Sequence, residues 1–421
     1  MPNVIIGQSG GPTAVINSSL AGAIKAAKMY GIPKVYGMHF GIEGFLKGDI
    51  IDMDDYLHDL NDLSLLKRTP AAFLGSCRYK LPEPEDNEEV YQRIFSLLEE
   101  YDIEYFLYIG GNDSMDTIKK LHDYARDHHK PQKFMGIPKT IDNDLAGTDH
   151  CPGYGSAAKF VATSMTELIA DNESFGASDP RICIVEIMGR NAGWLTAASV
   201  LSDDSDCDGP DLIYCPEVPI DLDKFINKIK ELIQVKKSIV IAVSEGLRTP
   251  DGKLVCELTD AYEFVDAFGH RQLSGCARYL ANLVARETGI RTRAIEFSLL
   301  QRCSTHLASR ADVDEAYNVG FIACEEAIRN NSGKMITLHV RSREPYVCDY
   351  QSADVHEIAN VEKKLPLHWI TRDGTYVSRE FINYVKPLVI GTITPYYAGG
   401  IPKHMSLKYS KVRHDESEMM E

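Results

Sequence analysis

The sequence predicts an α/β protein of two αβα lobes, with mostly parallel sheets and an active site in the cleft between the lobes. Three observations carry that prediction. The chain of 421 residues exceeds what one hydrophobic core serves, since single cores stop growing near about 250–300 residues. Short apolar runs alternate with longer amphipathic stretches, the pattern of strands covered by helices on both faces. Apolar residues make up 44% of the chain and charged residues 25%, the balance of a packed protein rather than a disordered one.

Strands are expected at 3–7, 34–39, 105–109, 133–137, 181–188, 212–215, 238–244, 293–299 and 335–340. Most of these are short runs rich in Val, Ile, Leu, Tyr or Phe, too short for buried helices. Helices fill the intervals. One is expected at 14–30, ended by Gly31, and another at 113–127, where Ile118, Leu121 and Tyr124 continue an apolar stripe. Residues 1–150 then make one lobe and 151–330 a second, followed by an extension, 331–421, that can return to the first. Within the extension a strand-like stretch at 386–390 precedes Thr394 to Gly400, and the polar tail 414–421 is low in complexity.

The net charge of −16 argues against nucleic acid or an anionic membrane as partner, because no block of basic residues offsets it. An anionic substrate would need a local cluster of arginines. Ten cysteines stand singly with no CxxC pair, which reads as buried thiols in a reducing compartment rather than metal sites. The opening residues MPNVIIGQSGG read as a strand rather than a signal peptide, and no run approaches the roughly 20 apolar residues of a membrane span. A cytoplasmic location is the expectation.

Three loops that follow strands hold the residues with chemistry to offer: Gly7 to Thr13, Gly110 to Ser114, and Pro138 to Asp144. In an open α/β sheet ligands bind beyond the carboxyl ends of the strands, so the three would converge on one crevice. Each of the first two contains a Gly-Gly pair and opens a helix, so backbone N–H groups and a helix N-terminus can approach a phosphate. Taken singly, such glycines are as well explained by tight turns. The third places Asp142 and Asp144 two residues apart, with Lys139 and Thr140 just before them. An aspartate there can accept the proton of an attacking hydroxyl while the lysine offsets charge on a phosphoryl group in transfer. A helix-capping cluster is the plain alternative.

Gly10-Gly11, Gly110-Gly111-Asn112-Asp113-Ser114, Pro138-Lys139-Thr140-Ile141-Asp142-Asn143-Asp144 and Met188-Gly189-Arg190 occur in an order that resembles the phosphofructokinases. Leu74 to Arg78, Glu245 and the stretch from Arg293 to Arg302 extend the resemblance from about residue 3 to about residue 330. It implies an Mg²⁺-dependent phosphotransferase with a donor lobe at 1–150 and a sugar-phosphate lobe at 151–330. On that resemblance Asp142 is the base for the 1-hydroxyl of fructose 6-phosphate. Thr140, Ile141, Asp144, Met188, Gly189, Arg190 and Glu245 hold the sugar, and Arg302 grips its 6-phosphate. Arg181 and Arg293 match arginines that reach that phosphate from a neighbouring subunit, implying a homo-oligomer, dimer or tetramer. Gly11, Arg78, Gly110, Gly111 and Asn112 match the donor pocket and Asn112 the position nearest the metal.

The family's ATP users carry glycines where this chain has Asp113 and Lys139, and its pyrophosphate users carry aspartate and lysine. The physics agrees. A carboxylate at Asp113 would lie against the α-phosphate of ATP, and like charges about 4 Å apart in a partly dry cleft repel by on the order of 4 kcal/mol. Pyrophosphate ends before that point. Two positions depart from the usual pattern: Asn112 replaces an aspartate, and Leu299 stands where ATP-using relatives have a histidine. They keep open a non-catalytic regulatory homologue and a related acceptor such as sedoheptulose 7-phosphate, and an ATP-dependent enzyme is the rival on the donor.

Overall fold

The computed structural model describes residues 1–175, 179–258 and 275–408. Its larger sheet has seven strands in the order Tyr346–Asp354, Lys334–Arg343, Lys133–Pro138, Ile103–Gly110, Asn3–Gln8, Val35–Met38 and Ile50–Asp52. The five central strands are parallel and the two edge strands antiparallel. The smaller sheet orders Thr292–Glu296, Arg181–Ile187, Ser238–Ser244 and Leu212–Tyr214, all parallel.

Strands with both faces covered show no polar alternation, because neither face meets water. Asn3–Gln8 is buried along its whole length. Successive residues still point to opposite faces: Val4, Ile6, Leu107 and Ile109 pack in one core, and Ile5, Phe106 and Tyr108 in another. The smaller sheet repeats the pattern, with Cys183, Val185 and Ile187 on one side and Ile182 and Ile184 on the other. Burying each such aliphatic side chain contributes about 1.5–3 kcal/mol. Among the described residues no helix is long and apolar enough to cross a membrane.

The expected helices form at Ile16–Met29 and Asn112–Asp127. Gly31 stops the first with a left-handed φ of 72°, as a glycine just past a helix end does. Helix Arg310–Ile328 lies within the stretch 151–330, yet Val319, Ala323, Cys324 and Ala327 join a core of the larger sheet. Its contact with Ile16–Met29 is close because both helices offer glycine. A Cβ on Gly22 would lie 1.9 Å from the Tyr317 carbonyl oxygen, and one on Gly320 1.9 Å from that of Ser19.

The extension after 331 contributes to both sheets' surroundings. Lys334–Arg343 and Tyr346–Asp354 complete one edge of the larger sheet, helix Arg379–Val385 packs Phe381, Tyr384 and Val385 beside Trp194, and Met405 returns to the larger sheet's core. The stretch expected as a strand at 386–390 is instead a 3-10 turn, Lys386–Val389. Pro387 lacks a ladder donor and has a φ preset for a helical start. The strand expected at 293–299 ends at Glu296, because Ser298 turns to a positive φ of 45° and Leu299 opens a short helix. The tail 414–421 lies outside the described residues.

Candidate active site

Loops at the carboxyl ends of six strands, three from each sheet, surround one cavity of about 760 Å³. The wall on the side of the larger sheet holds Gly10, Gly11, Arg78, Gly111, Asn112, Asp113, Lys139, Thr140, Ile141, Asp142 and Asp144. The opposite wall holds Met188, Arg190, Glu245, Leu299 and Arg302.

Each wall is built by backbone rules. Ser9 donates to the Ile109 carbonyl and Gly10 to that of Cys77, which folds the first glycine loop onto the sheet end. Gly10 has a φ of 73°, and a Cβ on Gly11 would lie 2.6 Å from Nη1 of Arg302. The positive φ favours glycine at Gly10, and a side chain at position 11 would displace the guanidinium that crosses the loop. Gly111 precedes helix Asn112–Asp127, whose first residues line the cavity. Gly110 is buried behind it, where a Cβ would collide with Oγ of Ser114 at 1.8 Å.

The loop from Lys139 to Asp144 is braced from below. Lys139 donates its backbone N–H to the Gly110 carbonyl, and Thr140 donates to that of Pro152. Thr140 Oγ1 accepts from the Asp142 N–H at 3.1 Å, an ST-turn that presents the Asp142 carboxylate. Asn143 adopts a φ of 55°, which asparagine tolerates better than most residues. Fully buried, it donates to the Tyr384 hydroxyl at 2.8 Å and accepts from the Cys151 N–H at 2.9 Å.

Lys139 is buried, 4% exposed, with Nζ donating to the Gly11 carbonyl at 2.7 Å. Burial pulls its ammonium down to about 8, against the opposing pull of Asp142 and Asp144. Burial and the neighbouring Asp144 push Asp142 up to about 7, and burial raises Asp144 as well. A base and a cation both close to neutrality lie side by side. Such a pair suits proton and phosphoryl transfer near neutral pH.

On the other wall Gly189 has a φ of 144° and donates its N–H to Oε1 of Glu245 at 3.3 Å. The Met188 N–H donates to the Gln301 side chain at 3.1 Å. Burial, then Asp142, raises Glu245 to about 8. Burial raises Glu186 to about 7, although it accepts from the Ala277 N–H at 2.8 Å at a helix start. Leu299 is 54% exposed on the cavity rim.

Arg181 and Arg293 stand apart from this cavity. Both lie at the amino ends of strands whose carboxyl ends line it. Arg181 stacks on Phe175 at 4.0 Å, and Arg293 meets Asp171 at 3.3 Å. Among residues that the motifs did not single out, Gln301, Glu186, Asn360 and Glu362 also line the cavity. The last two come from the C-terminal extension, beyond every motif. Asn112 is engaged in an unexpected way: with its amide oriented to suit its surroundings, Nδ2 donates to the carbonyls of Val361 at 3.1 Å and Ile358 at 3.3 Å.

Comparison with known proteins meets this geometry independently. Residues 3–325 match the phosphofructokinase family model. The chain is 38% identical to a pyrophosphate–fructose 6-phosphate 1-phosphotransferase of Halomonas elongata, over 97% of both chains. It is also 38% identical to the enzyme of that name from Methylococcus capsulatus, over 96% of each. The crystal structure of a pyrophosphate-dependent phosphofructokinase from Marinobacter aquaeolei superposes with a TM-score of 0.86 at 35% identity, covering 97% of this chain and 96% of that one. The fold, the paired glycine loops and these full-length similarities agree: the chain belongs to the phosphofructokinase family.

Proposed function

We propose that the chain transfers a phosphoryl group reversibly between pyrophosphate and the 1-hydroxyl of fructose 6-phosphate, giving fructose 1,6-bisphosphate and phosphate. The observation that carries this reading is the buried Lys139 against Gly11 and beside Asp142, with Asp113 on the same wall. Asp142 accepts the proton of the sugar hydroxyl as the oxygen attacks, and returns it in the reverse direction. Lys139 offsets charge on the phosphoryl group in flight. Asp113 repels the extra phosphate of a nucleotide donor. Arg302 and Arg190 supply the positive charge that holds the sugar phosphate in an otherwise acidic chain.

Among the described residues no three His, Cys, Asp or Glu side chains converge as a ready metal cage. The cleft does present hard oxygens on Asp142, Asp144 and Asn112, a set that fits Mg²⁺ held by one or two protein ligands together with donor phosphates. Bound there, Mg²⁺ would neutralise charge on the donor oxygens. The absence of Arg181 and Arg293 from the chain's own cavity supports a homo-oligomer in which they serve a neighbour's sugar phosphate. Leu299 offers the acceptor no side-chain hydrogen bond at the rim, so other ketose phosphates, sedoheptulose 7-phosphate included, remain candidate acceptors.

Purified protein supplied with Mg²⁺ and fructose 6-phosphate, and then with pyrophosphate, ATP or ADP in turn, tests the reading. Turnover with pyrophosphate alone is the expected result. Turnover with ATP alone would establish the ATP-dependent alternative, and no turnover with any donor the regulatory one.

A further inference from the structure

One stretch of the C-terminal extension crosses the cleft and is bonded on both sides of it. Val355, Ile358 and Ala359 are buried in the core under the larger sheet. Leu365, a few residues on, is buried in the core of the smaller one. Between these anchors the chain passes the cavity, where Asn360 and Glu362 form part of the wall.

Its bonds reach both of the loops that carry the chemistry. On the side of the second glycine loop, Asn112 donates its amide to the Ile358 and Val361 carbonyls, and Asn360, at a φ of 62°, donates to Oδ1 of Asp116 at 3.0 Å. On the side of the aspartate loop, the Lys363 N–H donates to the Asp144 carbonyl at 2.7 Å, and Leu145 and Glu362 form an antiparallel bridge. Nζ of Lys363 donates to the carbonyls of Thr148 at 3.2 Å and Asp149 at 2.8 Å. Toward the smaller sheet, Trp194 Nε1 donates to the Lys363 carbonyl at 3.1 Å. Glu217 Oε1 accepts from both Gly193, at 2.8 Å, and Leu365, at 3.1 Å.

We propose that residues 355–365 act as a strap that holds the donor loop and the aspartate loop in one register, and that Asn112 is the positioning residue that fastens it. The chemistry of the bond dictates the residue type. Both partners of Asn112 are carbonyl oxygens, so the side chain must donate. An aspartate of the same shape would set a carboxylate against two acceptors and push the strap away. Asn112 thus acts on the reaction through the placement of Asp142, three residues before the strap's bridge at Leu145. Sub-ångström errors in such placement reduce turnover without removing any reacting group.

The role rests on the phosphotransferase reading for its kinetic consequence but not for its structural one, and the test separates the two. Asn112→Asp and Asn112→Ala are compared with the unaltered chain for turnover and, independently, for amide hydrogen exchange across 355–365. With the strap loosened in both variants, exchange at 358–365 rises about tenfold or more and kcat falls about tenfold or more, while KM for the sugar changes less than threefold. If Asn112 serves only as an oxygen ligand for a cation, Asn112→Asp instead keeps or raises turnover and leaves exchange unchanged, which overturns the proposal. Asn360→Asp, which also tolerates the positive φ and sets a carboxylate against Asp116 in place of the donated bond, is the second variant should Asn112→Ala fail to fold. It loosens the same amides if the strap is real, and unchanged exchange there counts against it. An unaltered chain with no pyrophosphate activity would sink the functional reading while leaving the exchange result to stand or fall alone.

Discussion

Asp142 and Lys139 hold their charges on opposite sides of a narrow pH interval. Burial and Asp144 raise the first to about 7, and burial lowers the second to about 8. In the roles proposed for them, Asp142 must be deprotonated as the base and Lys139 protonated beside the phosphoryl group. kcat/KM for the forward reaction therefore rises as pH passes about 7 and falls as it passes about 8, a bell that a pH-rate profile of the free enzyme reports. Asp142→Asn removes the rising limb and lowers kcat by about 10²–10⁴. Asp113→Gly tests the donor argument: ATP-dependent turnover appears or improves, and a variant with no gain at all overturns the repulsion account. At this scale the sequence was informative wherever the chemistry demands a fixed spacing, as from Lys139 to Asp144 and from Met188 to Arg190. Asn143, Asn360 and Glu362 were not legible, since a left-handed brace and a wall residue from a distant strap have no local pattern.

Elements pack around a second titrating group with no part in the chemistry. His150 is 1% exposed and lies between Asp149, 3.0 Å from Nδ1, and Glu315, 2.8 Å from Nε2. Burial opposes its charge, but Glu315 and Asp149 outweigh it and carry the imidazole up to about 9. The group ties the loop after the aspartates to helix Arg310–Ile328. Its folded value lies above the unfolded value of about 6.5, so its contribution is complete below pH 6.5 and is lost as pH rises through about 9. The shift corresponds to about 3 kcal/mol. Thermal melts from pH 6 to 10 should show a falling melting temperature across that window, and His150→Gln should flatten it. Parallel strands were readable because burial on both faces leaves unbroken apolar runs. The edge strand Tyr346–Asp354 was not, since none of its residues is fully buried and Asp349, Gln351, Ser352 and Asp354 interrupt its apolar residues. The apolar run at 386–390 misled because Pro387 decides its backbone.

Across the whole molecule, the two arginines outside the cavity bear on the homo-oligomer proposed above. Arg181 and Arg293 sit at the starts of strands that end at the cleft, and a strand of seven residues such as Arg181–Ile187 spans about 20 Å. The Arg181 side chain cannot bridge that length back to the cavity of its own chain, and Arg293, near the start of a shorter strand, turns instead to Asp171. The exposed pair of Arg293 with Asp171 is of the kind that contributes little to stability, so this arginine can exchange its partner for a phosphate. If the pair serves a neighbour's sugar site, a chain carrying Asp142→Asn and a chain carrying Arg293→Ala are each defective alone but complement one another. In a mixed dimer the Arg293→Ala chain keeps its own Asp142 and receives an intact arginine from its partner, so one of the two sites works. Random reassociation of equal amounts, in which about half the dimers are mixed, should restore about a quarter of the unaltered activity. Mixtures that stay as inactive as their components, although mass spectrometry shows mixed dimers present, would mean that each cleft works without its neighbour and that the two arginines are ordinary surface charges.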